Sequence, residues 1–118
     1  MAETFNNASI KLTTTSATDI YQAPTANAAD RAIVLSCLVA NVDGTSAADI
    51  TLTVTDGSDA VLSTLASTIA VPADASLEVI TNKLILKQSQ KVRATASAAS
   101  DLEVTLSALE ITDRKSVV

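Results

Sequence analysis

The sequence predicts an all-β protein: an antiparallel β-sandwich, of jelly-roll or immunoglobulin-like type, with about seven to nine short strands. Three observations carry that expectation. Large aliphatic residues alternate with small polar ones along most of the chain, the period-two pattern of strands that bury one face. Clusters such as TDGSDA, PADAS and AASD interrupt the alternation with the residues that turns favour. No segment repeats its apolar residues at the 3.6-residue period of a helix, so the crossover helices of a parallel sheet are missing from the pattern.

The elements follow in order. Residues 1–8 are mostly polar and read as an N-terminal arm, with Phe5 as the large apolar group that either inserts into a neighbouring subunit or folds back onto its own sandwich. The sandwich is expected over residues 9–112 and a short tail over residues 113–118. In SIKLTTT, from Ser9 to Thr15, Ile10 and Leu12 share a face. DIYQAP begins at Asp19 and stops at Pro24, because proline cannot donate to a ladder. From Arg31 to Asn41 the chain is apolar on both faces, with Ile33, Leu35, Cys37 and Val39 against Val34, Leu38 and Ala40. Such a strand is central in its sheet or covered by another subunit.

Between Ala48 and Thr55, Ile50, Leu52 and Val54 point one way and Thr51, Thr53 and Thr55 the other, so one face enters a core and the other meets water or a polar interface. The Asp56-Gly57 pair suits a tight turn that needs positive φ. VLSTLASTIAV mixes periods, but its β-branched content favours extended structure. SLEVIT, LILK and KVRATAS read as further short strands. In LEVTLSALEIT, Leu102, Val104 and Leu106 share a face while Leu109 and Ile111 have the opposite parity. One inserted residue near Ser107 or Ala108 restores the phase, which predicts a β-bulge there.

Composition bounds the function. A chain of 118 residues suits one domain. Its residues are 47% hydrophobic but only 2% aromatic, so the core is aliphatic and help from neighbouring subunits is expected. A net charge of -5 without a basic stripe argues against a nucleic-acid partner. No run approaches the roughly 18 apolar residues of a membrane span. MAETFNNASIK lacks the pattern of a secretion signal, so export by that route is not expected. Without that route the Asn7-Ala8-Ser9 sequon has no modifying enzyme to meet.

Histidine is absent, which excludes Ser-His-Asp and Cys-His nucleophiles and removes the commonest zinc ligand. Cys37 stands alone in an apolar run, as a buried small hydrophobe would. Asp43, Asp49, Asp56, Asp59, Asp74 and Asp101 fall at or beside turns, where a carboxylate bonds nearby N–H groups, and none has the spacing of a calcium loop. The expectation is therefore no enzyme, no cofactor and no metal.

Specific residues also resemble a known group. Ile20-Tyr21-Gln22-Ala23-Pro24 leads into the apolar run Ala32 to Asn41, and Leu84 to Lys87 and Val92 to Ser97 lead to the closing strand. This pattern, over about Ser9 to Thr112, resembles a group of small virion structural proteins of tailed bacteriophages. The resemblance implies a β-sandwich on a phage particle. Acidity and small size lean toward a capsid decoration, or cement, protein whose many weak contacts add up on a symmetric shell. The expected partners are the major capsid protein, copies of the chain itself, or both. The expected contact residues are Phe5, Asn6 and Asn7 in the arm and Arg114, Lys115, Val117 and Val118 in the tail. A neck, tail or fibre-base component is the alternative, followed by a carbohydrate-binding module. The latter suffers from having only Phe5 and Tyr21 as aromatics.

Overall fold

A chain in which aliphatic and hydroxyl residues alternate can satisfy its backbone only by pairing strand with strand. The computed structural model describes residues 2–80 and 82–112, and these form nine strands. They are β1 (Ala2–Lys11), β2 (Thr18–Gln22), β3 (Arg31–Asn41), β4 (Ala48–Thr55), β5 (Val61–Val71), β6 (Ser76–Glu78), β7 (Leu84–Lys87), β8 (Lys91–Ala96) and β9 (Leu102–Thr112).

The antiparallel pairs nest. β4 pairs with β5, β3 with both β6 and β7, β2 with β8, and β1 with β9. Each pair encloses the one before it, so the chain is one long hairpin ribbon. Winding that ribbon around a core brings β9 beside β3 and β8 beside β4. Two sheets result: a five-stranded one in the order β1-β9-β3-β6, with β7 also on β3, and a four-stranded one in the order β2-β8-β4-β5. β6 and β7 lie end to end on β3 as one interrupted strand. This is the topology of a jelly roll, which resolves the choice the alternation left open.

The core lies between the sheets. Val34, Cys37 and Val39 of β3 and Leu102, Val104 and Leu106 of β9 face Ile50 and Leu52 of β4 and Val92 of β8, all with no exposed surface. Each fully buried valine or leucine contributes about 1.5–3 kcal/mol. The buried Asn41 ends β3 with its polar atoms satisfied. Its Nδ2 donates to the carbonyls of Ser46 and Val71, each at 2.9 Å, and its Oδ1 accepts from Asp43 N at 2.9 Å. One side chain thereby ties the β3–β4 turn to the end of β5.

Four sequence expectations differ from this arrangement. Of the expected arm, residues 2–8 do not stand apart from the sandwich: Ala2 to Ala8 belong to β1, each paired with a residue of β9. Their polarity misleads because this edge strand is held by its ladder, with Glu3, Thr4, Phe5, Asn6 and Asn7 all exposed. The strand expected to reach Thr15 ends at Lys11, and Leu12 is buried just beyond it, its N–H donating to the Leu102 carbonyl.

The bulge lies on β3, not β9. Val34 pairs with Ala108 and Ser36 with Ser107, which leaves Leu35 as the extra residue. β9 keeps its parity throughout, so Leu109 and Ile111 face outward. The turn after β4, finally, takes its positive φ at Asp59 (71°) and not at Gly57. At Gly57 an added Cβ would lie 3.4 Å from the Cβ of Ser89, an ordinary contact distance.

Candidate interaction surface

The outward faces of the two sheets differ in chemistry. On the four-stranded sheet, Thr51 and Thr53 of β4 pair with Thr95 and Arg93 of β8, so threonine rows lie beside charge. There Lys91 Nζ meets Asp59 Oδ1 at 2.9 Å and Asp19 Oδ2 at 3.0 Å, while Arg93 Nε meets Asp19 Oδ1 at 2.7 Å. The hydrogen bond from Lys91, with Arg93 adding to it, holds the Asp19 carboxyl below its ordinary range. The bonds to Asp59 and then Asp19 raise the Lys91 ammonium in turn. These charges are spent on one another, and the exposed apolar residues of this sheet, Val61, Leu62 and Ile69, lie on its edge strand β5.

The five-stranded sheet differs. Register places Phe5 of β1 beside Leu109 of β9, Leu109 beside Ile33 of β3, and Ile33 beside Ile85 of β7. All four have the outward parity, opposite to buried Val34, Leu86 and Ala108. Phe5 is 77% exposed and Ile85 65% exposed. The next row toward the start of β1 reads Glu3, Ile111, Arg31 and Lys87. Beside Phe5 the bulge at Leu35 opens a hollow of about 380 Å³, lined by Phe5, Asn6, Asn7, Leu35, Ser107 and Ala108.

The sequence-derived contact residues therefore divide. Phe5 and Asn7 lie on the outer face and Asn6 on the opposite side of β1, where its Nδ2 donates to Glu110 Oε2 at 3.3 Å. Arg114, Lys115, Val117 and Val118 lie outside the described residues. Sequence reasoning missed Leu109, Ile33 and Ile85 as members of one surface row. The parity break in β9 is the sequence signal for Leu109, and it reads equally well as a bulge; Ile33 and Ile85 join the row only through the ladders.

Other polar groups are committed inside the fold. The Tyr21 hydroxyl donates to Glu110 Oε2 at 2.5 Å, joining the two sheets. Burial, with the Glu110 hydrogen bond and charge, raises the phenol well above its ordinary value. Tyr21 is buried, so Phe5 is the aromatic left to a ligand. Burial and then the Glu78 charge push the Cys37 thiol up to about 12, the range of an inert thiol. The Asp43 and Asp56 carboxylates accept turn N–H groups of Thr45, and of Ser58 and Ala60. Among the described residues no helix is long and apolar enough to cross a membrane.

No protein-family model matches the chain, and no curated protein matches it. Solved structures do. A chain from Bacillus endospore appendages, described as disulfide-linked pili, superposes with a TM-score of 0.56 at 16% identity, over 95% of this chain and 89% of that one. A chain from the acid-stable capsid of Helicobacter pylori bacteriophage KHP30 gives 0.56 at 12% identity, over the same shares. The Drosophila NLP core, studied for pentamer formation and histone binding, gives 0.55 at 13% identity, over 96% of this chain and all of that one. At these identities the likeness is one of fold: this chain shares its β-sandwich with these proteins.

Proposed function

We propose that this chain is a non-enzymatic structural protein of a tailed-phage virion, working on the capsid surface as a decoration (cement) protein. It would stabilise the shell by bridging adjacent capsid subunits, burying sandwich edges, loops and terminal segments against the major capsid protein or its own copies. The observation that carries this reading is the apolar row across the outer face of the five-stranded sheet, with Phe5 at its edge, on a fold shared with a phage-capsid chain. Exposed contiguous apolar surface of this kind marks a protein-binding face. The phage resemblance of the Tyr21–Pro24, Leu84–Lys87 and Val92–Ser97 segments supports the same reading. Phe5, Asn6 and Asn7, with Arg114, Lys115, Val117 and Val118, are proposed as contact residues.

Copy number tests the proposal. In purified particles, quantitative mass spectrometry against the major capsid protein should give a ratio of about one, as repeated binding on a symmetric shell requires. A ratio of a few per cent would place the chain in the neck, tail or fibre base instead, and its absence from particles would overturn the virion reading.

A further inference from the structure

We infer that the outer face of the five-stranded sheet binds a second copy of this chain, face to face, about a two-fold axis that runs along the strands between β9 and β3. The inference does not rest on the virion reading.

Its first ground is charge complementarity within the face. The row Glu3, Ile111, Arg31, Lys87 has its acid at the β1 edge and its bases toward the β7 edge. A two-fold axis along the strands reverses strand order while keeping each row opposite itself. Glu3 then meets Lys87 of the second copy, and by symmetry Lys87 meets the second Glu3. In the next row Phe5 meets Ile85 of the second copy and Leu109 meets Ile33, so along that row apolar side chains cover apolar side chains. An axis across the strands at the Asn7 row would set Glu3 over Lys11, but it would also lay Phe5 over Ser9 and Leu109 over Thr105, apolar on polar.

The second ground is the charge balance of the face. Lys11, Arg31 and Lys87 are matched there by Glu3, Glu78 and Glu103, all of outward parity. A chain of net charge -5 would repel its copy through most surfaces, but not through this one. Size is the third. Four strands spaced about 4.8 Å apart and ten residues long at about 3.4 Å each make a face of roughly 650 Å² before side-chain relief is added. Standard interfaces bury about 800 Å² per partner. β3 points the same way: it is apolar on both sides, and its second side, with Ile33 and Leu38, is open in the single chain.

Sedimentation equilibrium of the full chain tests this, with folding checked by circular dichroism. The expected result is a dimer. Ile85→Glu, which leaves an unpaired charge in the interface without touching the core, should weaken it by about 100-fold or more. Lys87→Glu should weaken it too, and the exchange of charges in Glu3→Lys with Lys87→Glu should restore it. Mixed Phe5→Cys and Ile85→Cys chains should cross-link to each other under oxidation. A monomer at all concentrations, dimerisation indifferent to Ile85→Glu, failure of the charge exchange to rescue, or cross-linking of Phe5→Cys only to itself would each overturn the inference.

Discussion

Leu106 and Leu109 lie three residues apart on β9 and carry the same side chain, yet the position of the bulge sends them to opposite sides of the sheet. Truncating each to alanine measures that directly. Leu106 has no exposed surface. Removing three of its carbons forfeits about 2.4 kcal/mol of transfer free energy at about 0.8 per methylene. Incomplete collapse of the space left adds about 1 kcal/mol, so Leu106→Ala should destabilise by about 3–4 kcal/mol. Leu109 is only partly buried, between Phe5 and Ile33. Its truncation leaves no enclosed cavity and should cost about 1 kcal/mol in the isolated chain.

Urea unfolding, run at concentrations where sedimentation shows a monomer, resolves the difference. With a slope of roughly 1.5 kcal/mol/M for a chain of this size, the two midpoints should differ by about 1.5 M. Equal costs would mean that Leu109 points inward, that the bulge belongs to β9 near Ser107, and that the apolar surface row does not exist.

Two further results are expected. Asp19 has its folded-state pKa lowered, first by the hydrogen bond from Lys91, so its contribution is present above the ordinary carboxylate pKa and lost as pH falls through the lowered folded value. Its carboxylate is half-exposed, which keeps that contribution below about 1 kcal/mol; Asp19→Asn should flatten the acid limb of a stability–pH curve, and an unchanged limb would show the cluster to be energetically idle. Gly57→Ala should be tolerated, and even stabilise by about 0.4–1 kcal/mol in thermal unfolding, because φ at Gly57 is not positive and an added Cβ meets Ser89 only at ordinary contact distance. A loss above about 1 kcal/mol would mean that the turn needs glycine after all.

How much of the surface was legible depends on the range of the information. Phe5, Asn6 and Asn7 stand out in the sequence because a large aromatic among polar residues is conspicuous locally. Their neighbours Leu109, Ile33 and Ile85 do not, because only the ladders join them. The Lys91, Arg93, Asp19 and Asp59 cluster is the same case. Lys91 and Arg93 share a face by period two alone, but Asp19 reaches them through a ladder from 72 and 74 residues away.

The all-β class, the aliphatic core, the outward Thr51 and Thr53 of β4 and the two-sided apolarity of β3 were legible in the sequence, whereas Thr55, expected outside with them, is buried. The legible features all follow from which residues alternate along a single strand, a property local to the backbone. The tertiary structure alone decided that the ribbon rolls into nested pairs, that the extra residue is Leu35, and that residues 2–8 extend a strand. It also decided that four apolar side chains from four strands line up in one outer row. Pairing is set by contacts between distant segments, so a pattern within β9 can show that its parity changes face without showing which partner strand absorbs the change.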